Sequence, residues 1–542
     1  MSLKTDLMQP QACGAAPDET VELIETHISW VFVVGAHVYK VKKPVDLGFL
    51  DFTTSTLRHA ACEAEVRLNS RLAPEVYLGV VPVTRNDAGR FSLCSSGEID
   101  DWAVHMRRLP EGRRADSLAR RGDLTSQHML MMAHEISDFH ARCASGVEVQ
   151  YYGMPDAVLR NVKENFAQTR ATIEHYLSAS EVTTLQQYQV DFIRRHAPLI
   201  ERRARLGRVR DGHGDLRLEH VYLPPLRASL GLSPADDSRV ERPVIIDCIE
   251  FNDRFRYADV CADIAFLSMD CAAHGLRDFG EQLLARYARE ASDYDLYALV
   301  DFYESYRALV RGKVAAIVAD DAGVAGELRE AARKTALTCF RLSLAASCPP
   351  VIGPEVVAVG GVIASGKSTI AELVAGALCA PVIDSDRTRK AMLGAEAQQP
   401  MRDAAWHGAY DPELTARVYA EVLRRAAVVV ASGRPVVLDA SFRSAESRAS
   451  ARELARAHGA PFRFLECRAQ SDVCRARLAT RALSPSVSDG RLDVFDAFAA
   501  AFEPVTELPT NEHVVITTDR PLEQTRARIG ALLARGRPAQ HP

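Results

Sequence analysis

Gly361-Val-Ile-Ala-Ser-Gly366-Lys367-Ser368-Thr369 is the stretch on which the reading of this 542-residue chain turns. It fits GxxxxGK[ST] in full, with the strand-like run EVVAVG at 355–360 before it and the amphipathic TIAELVAGAL after it. That context is what the pattern requires. The glycines let backbone N–H groups turn toward a phosphate, the helix N-terminus adds positive potential, and the lysine reaches the terminal phosphates of a nucleotide. Gly361, Val362, Ile363, Ala364, Ser365, Gly366, Lys367, Ser368 and Thr369 are therefore expected to hold ATP, with Lys367 also acting in catalysis and Ser368 binding Mg²⁺.

Outward from this loop the second half alternates. The runs PVID at 381–384, PVVLD at 435–439, FRFLEC at 462–467 and HVVITT at 513–518 are separated by helical segments starting at Lys367, at Pro412, after Ser444, after Ser471 and at Pro521. Asp411 and Asp519 are the expected N-caps, and Gly433 and Gly459 follow helix ends. Such a series predicts an α/β domain whose parallel sheet is covered by helices on both faces. Ligands bind at the carboxyl edge of such sheets. Asp439 is expected there as a metal ligand, the competing reading being a cap on the next turn. Asp386 is read as the base that accepts an acceptor's hydroxyl proton. Arg389, three residues on and on the same helix face, is read as a substrate-binding group; an N-cap with a solvated ion pair is the alternative. In CRARLATRALSPSVSDGR, the arginines at 475, 477 and 481 precede a Ser/Pro/Gly segment. This suits a lid over ATP with Arg475 and Arg481 in catalysis, against the simpler reading of a solvated basic helix face.

Composition sets the frame. Hydrophobic residues make up 47% and charged residues 25%, which is the balance of a folded globular chain. The formal charge of −5 provides no bulk attraction to nucleic acid or anionic lipid, so a nucleic-acid coat protein is disfavoured. The start MSLKTDLMQPQACG lacks an apolar targeting core, and runs such as AAVVVA at 426–431 fall far short of the roughly 20 residues of a membrane span. A cytoplasmic location without membrane contact is expected. The 12 cysteines include no CxxC pair and are expected to be free and mostly buried.

The first half opens on WVFVVG at 30–35 and HVYKVKK at 37–43, a β-hairpin turning at Gly35-Ala36, and becomes largely helical from 125 to 345. A small β-rich lobe followed by a larger helical lobe, an α+β arrangement, is predicted. AASCPPVIGPE at 345–355 marks a boundary near Pro349, giving domains 1–348 and 349–542. The stretch 223–243 is read as a surface insertion.

His213-Gly-Asp215-Leu-Arg-Leu-Glu-His220, followed by Val244-Ile-Ile-Asp247, is a second phosphotransfer pattern. Asp215 suits deprotonation of an acceptor hydroxyl, and Asp247, closing a strand, suits metal binding. The Asp215-to-His220 spacing equals the Asp-to-Asn spacing of kinase catalytic loops, with His220 at the second metal position. Lys40 and Lys42 share a strand face, and either can reach ATP phosphates; Glu65 is the expected ion partner, with Glu63 as the alternative. The stretch 104–110 is a candidate adenine-contacting hinge.

The P-loop segments resemble kinases of the zeta-toxin, polynucleotide-kinase and gluconate-kinase type, often grouped with AAA-like ATP-binding domains, over about 355–535. The segments KVKKPVDLGFLDF, EVRLNSRLAPEVYLGV, HGDLRLEHVYL and DCIEFNDRFRYADVCADIAFL resemble aminoglycoside phosphotransferases of the protein-kinase-like fold. Their order over nearly the whole chain is similar to the bacterial family of bifunctional aminoglycoside phosphotransferase/ATP-binding proteins. The resemblance implies a bilobal kinase-like domain joined to a P-loop domain, two ATP·Mg²⁺ sites, and Asp259 and Asp263 as anchors of the helical lobe. The chain departs from the pattern in having His220 for Asn and no GxGxxG before Lys40. The expected activity is transfer of the ATP γ-phosphoryl group to a hydroxyl of a small-molecule acceptor. The competing readings are a regulatory first domain and a second domain acting on nucleic-acid ends. Oligomeric state is left open.

Overall fold

The computed structural model describes residues 2–46, 48, 50–93, 96–225, 242–345, 353–397, 399–401, 403, 406–481, 483 and 487–534. The chain forms two compact units, Met1–Leu276 with Tyr303–Ser343, and Arg277–Phe302 with Leu344–Pro542. It changes unit beyond Ser343, ahead of Pro349, but it also lends Arg277–Phe302 to the second unit, which a single cut does not foresee.

In the first unit, β1 (Val21–Glu25), β2 (Ser29–Val34), β3 (His37–Lys42), β4 (Tyr77–Arg85), β5 (Phe91–Leu93) and β6 (Glu98–Arg107) form one antiparallel sheet ordered β1-β2-β3-β6-β4-β5. The predicted hairpin pairs Val34 with His37, and Gly35 supplies the positive φ (52°) that the two-residue turn needs. Alternation along β3 sends Tyr39 and Val41 into a core with Phe32, Val34 and Val83. It sends Lys40 and Lys42 to the other face. The helix Ser55–Asn69 packs on that face, capped by the Thr54 side chain on the Leu57 N–H. Its buried residues Arg58, Ala61, Cys62, Glu65, Leu68 and Asn69 recur at three- and four-residue steps, so Glu65 lies under the two lysines.

Helices Ser126–Arg142, Pro155–Thr169, Ala179–Arg205 and Val260–Ala273 build the helical lobe. Two short ribbons pair β7 (Val209–Asp211) with β10 (Tyr257–Asp259) and β8 (Val221–Tyr222) with β9 (Val244–Ile245). They carry the segments around Asp215 and Asp247. Of the expected insertion at 223–243, residues 226–241 lie outside the described residues.

In the second unit, β11 (Val356–Gly360), β12 (Val382–Asp384), β13 (Val436–Asp439), β14 (Phe462–Arg468) and β15 (His513–Thr517) form a parallel sheet ordered β12-β13-β11-β14-β15. Val356–Val359 are fully buried, as expected of a central strand covered on both faces. Asp411 caps its helix through the Glu413 and Leu414 N–H groups. Asp519 does not cap the last helix, which begins only at Leu522, after Pro521. The borrowed segment is built into this unit. Tyr294 donates to the Val382 carbonyl (2.6 Å), and Arg434 pairs with Glu281 and Asp301, both at 2.8 Å.

Ten cysteines fall among the described residues; all are free, nine of them buried, and burial pushes thiols such as Cys62 up to about 12. Among the described residues no helix is long and apolar enough to cross a membrane.

Candidate active site

The second unit holds a cavity of about 670 Å³ over the carboxyl ends of β11, β12 and β13. The loop after β11 is shaped by close approach. A Cβ on Gly361 (φ 140°) would lie 2.4 Å from the Cys467 carbonyl oxygen, and one on Gly366 (φ 91°) would press on Thr518 at 3.1 Å. Ala364 also adopts positive φ (59°). Lys367 opens the helix Lys367–Leu378, and its ammonium donates to the Val362 carbonyl at 2.9 Å, so the side chain folds back over the loop. Ser365 Oγ is buried with no hydrogen-bond partner among the described residues. A tight glycine-shaped loop, a lysine over it and an unsatisfied hydroxyl within it fit a bound polyphosphate.

Asp384 and Asp439 stand opposite each other in register at the ends of β12 and β13. Burial pushes the Asp439 carboxyl up to about 6, against the lowering effects of Lys367 and of a hydrogen bond from Ser368. Ser368 and Asp439 are thus a hydroxyl and a carboxylate that can hold a divalent cation beside a phosphate. Asp384 is also raised by burial; its Oδ1 caps the helix Ser385–Met392 at the Arg387 N–H (2.6 Å), and its Oδ2 lies 3.4 Å from Arg289 Nε. Asp386 follows in the first helical turn and accepts from Arg389 at 3.1 Å, while the Arg389 guanidinium rests 4.8 Å from the Tyr410 ring centre.

Lys367, Ser368, Asp386, Arg389, Asp439 and Arg481 share this cavity, whereas Arg475 does not line it. Arg475 is exposed, ion-paired with Asp496 and stacked on Phe495. The cause is helical phase. Within Ser471–Arg481, residues 477 and 481 are four apart and share a face, while 475 points away from both. Arg477, not Arg475, reaches the loop, donating to the Ala364 carbonyl (3.2 Å) and the Thr518 carbonyl (2.6 Å). In the expected lid, Ala482 and Ser484–Ser486 lie outside the described residues.

The first unit brings its own predicted residues together. Lys40 Nζ lies 2.9 Å from Glu65 and 2.7 Å from Asp247. Burial alone would pull this ammonium down, but Asp247 and Glu65 outweigh it and hold it well above its ordinary value. Lys42 is fully buried between Glu65 (2.7 Å) and Glu250, so Lys40 is the lysine that faces Asp247. Glu65, not Glu63, is the ion partner of both lysines. His220 Nε2 lies 3.5 Å from Asp247 and its Nδ1 2.8 Å from the Asp215 carbonyl oxygen. Asp215 is gripped by Arg217 through two 2.9 Å hydrogen bonds. Burial would raise its carboxyl, but Arg217 and His220 hold it well below the usual carboxylate range. At 104–107 the hinge candidate is part of β6, and the Arg107 and Arg108 N–H groups are spent on Val76 and Ala36 carbonyls.

Asp263 fixes the turn ahead of Asp215 by accepting from the His213 and Gly214 N–H groups at 2.7 and 3.0 Å. His213 is fully buried and neutral: Nε2–H donates to the Ile246 carbonyl (3.0 Å) and Nδ1 accepts from the Asp215 N–H (3.3 Å). Burial lowers its imidazole to about 4. Because the unfolded chain binds this proton at about 6.5 and the folded one only near 4, stability is full above about pH 6.5 and falls as pH drops toward 4. The loss is expected to reach roughly 3 kcal/mol. Chemical denaturation between pH 7 and 4 should show this slope in the wild type and a flatter one in His213→Gln; equal slopes would refute it.

Fold and site define a chain of two units, one an antiparallel sheet joined to a helical lobe and the other a P-loop at the edge of a parallel sheet. The family model described as an AAA domain matches residues 356–505. The chain is 31% identical over 492 residues to the uncharacterized protein Rv2004c of Mycobacterium tuberculosis and to Mb2027c of Mycobacterium bovis, covering 90% of this chain and 92% of each relative. It belongs to the same family as these mycobacterial proteins. Among solved structures, a gluconokinase from Sinorhizobium meliloti 1021 is similar at 22% identity over 34% of this chain and 93% of its own, with a TM-score of 0.26. A choline/ethanolamine kinase family protein from Mesorhizobium loti is similar at 13% identity over 60% and 91%, with a TM-score of 0.32.

Proposed function

We propose that this protein is an ATP- and Mg²⁺-dependent phosphotransferase whose second unit phosphorylates a hydroxyl of a small molecule. The observation that carries this reading is the meeting of Lys367, the Ser368–Asp439 pair and the Asp386–Arg389 pair in one cavity. Asp386 takes the proton of the acceptor hydroxyl as its oxygen bonds to the γ-phosphorus. The bond from that phosphorus to the β–γ bridging oxygen breaks, and ADP leaves with the electron pair. Lys367 and Arg481 offset the charge that builds on the transferred group, and Mg²⁺ supplies further neutralisation when bound. The first unit offers a second ATP site in which Lys40, held by Glu65, meets the phosphates, and Asp247 with His220 meets the metal.

A regulatory first unit is favoured by one feature: Arg217 occupies both oxygens of Asp215, the group that would receive the proton. Incubating the full chain with ATP and a metabolite extract, and searching for a mass gain of one phosphate, tests both readings. The product is expected with wild type and lost with Lys367→Ala. Retention of all turnover in Asp215→Ala assigns the first unit to regulation, and the absence of any phosphorylated product refutes the proposal.

A further inference from the structure

One wall of the second unit's cavity takes no part in holding phosphates or metal. The Arg443 guanidinium lies 4.0 Å from the Trp406 ring centre. Trp406 stacks on Phe498 with centroids 4.7 Å apart and planes 21° apart, and Tyr410 meets Phe498 edge-on at 6.2 Å. All four line the same cavity as Asp386. No described carboxylate pairs with Arg443. Glu503, whose charge it feels, is engaged with the Ala445 N–H at 2.6 Å, capping the helix Ala445–Ala457. Its other electrostatic neighbour, Tyr419, spends its hydroxyl on Ser441 and on the Phe442 N–H. Trp406 sits at φ 66°, a conformation costly for a bulky side chain, so its surroundings hold the ring in place against local preference.

A planar guanidinium with no ion-pair partner among the described residues, set on an aromatic platform and partly withdrawn from water, is a receptor for a carboxylate or phosphate. The neighbouring rings offer an apolar face against which another ring can pack. Arg389 does not serve the same purpose, because it is already paired with Asp386.

We infer that the acceptor is a ring-bearing anion. Arg443 takes its carboxylate or phosphate, and Trp406 and Phe498 take its ring, which turns a hydroxyl toward Asp386. The inference rests on the phosphotransferase reading and names the class of substrate for it.

The test uses the full chain with Mg²⁺ and a saturating β,γ-imido analogue of ATP, and measures binding by calorimetry. Four probes are added singly: cytidine 5′-monophosphate, cytidine, glucuronate and glucose. The two anions are expected to bind more tightly than their neutral counterparts. Arg443→Gln should weaken the anions roughly 10- to 100-fold, with Arg443→Lys recovering part of the loss. Trp406→Leu should weaken all ring probes. Undiminished uptake of the ATP analogue shows that each variant is folded. If only one anion is preferred, phosphate or carboxylate is identified as the recognised group. Equal binding of anionic and neutral probes, an unchanged Arg443→Gln, or no probe binding alongside normal analogue uptake overturns the inference. Failure of the wild type to take up the analogue refutes the nucleotide site itself.

Discussion

Lys367→Ala is expected to lower ATP turnover by roughly 10²–10³-fold, the scale on which one group stabilising transition-state charge acts. The side chain stands at the first position of its helix and folds over the loop to Val362. A triphosphate entering the loop would take the place of that carbonyl as its partner. It makes no ion pair with a described residue within 4 Å, and its removal takes from Asp439 only a longer-range attraction, leaving the Ser368 hydrogen bond in place. Alanine also suits a first helical turn, and the melting temperature should hardly move. Loss of Mg-nucleotide uptake in a folded variant is thus a site effect. Calorimetry showing the same uptake in Lys367→Ala as in wild type would remove the basis of the proposed function.

Asp259→Ala is expected to cost about 3–5 kcal/mol, the usual range when one partner of a buried ion pair is removed and the other is left without it. Asp259 and Arg203 are 3% and 1% exposed and joined by two 2.8 Å hydrogen bonds. Asp259 also caps the helix Val260–Ala273 at the Cys261 N–H (2.9 Å). The variant therefore takes the bidentate carboxylate away from a buried guanidinium and uncaps the most deeply buried helix of the lobe in one step. Differential scanning calorimetry should show the transition that includes the first unit fall by on the order of 10 °C. A shift of only a degree or two would mean that the Asp259 carboxylate contributes little to holding Arg203 and the helix start in place.

The parallel sheet of the second unit is legible in sequence because nearly every boundary carries its own chemistry. Asp411 before Pro412 starts a helix, Gly433 and Gly459 end helices at φ 83° and 63°, and four-residue apolar runs leave little choice of strand. The phosphate loop is legible for the same reason, being one contiguous stretch. Contacts between distant segments are less so. That Lys40 and not Lys42 meets Asp247 depends on how a strand and a loop more than 200 residues apart are brought together. Glu250, three residues past Asp247, has no signal that would single it out as the partner of Lys42. Arg475 shows a reading that sequence could have refined, since the four-residue step from Arg477 to Arg481 already excludes it from their face. Arg443, Trp406 and Phe498 lie in three separate segments, and only the fold makes them one wall.

The loan of Arg277–Phe302 to the second unit has a consequence for how the protein is made. Leu283, Leu284, Tyr294 and Leu296 leave the ribosome before any strand of the sheet that will cover this segment. At roughly 5–20 residues per second the segment waits on the order of ten seconds or more for β11 through β15 to emerge. During that interval the nascent chain carries an apolar stretch with no partner, while the residues that close the first unit, Tyr303–Ser343, are still being added. The two halves are therefore interleaved in time as well as along the chain: the first has all its residues once Ser343 is made, whereas the second begins before that point and is completed only when its last strand emerges.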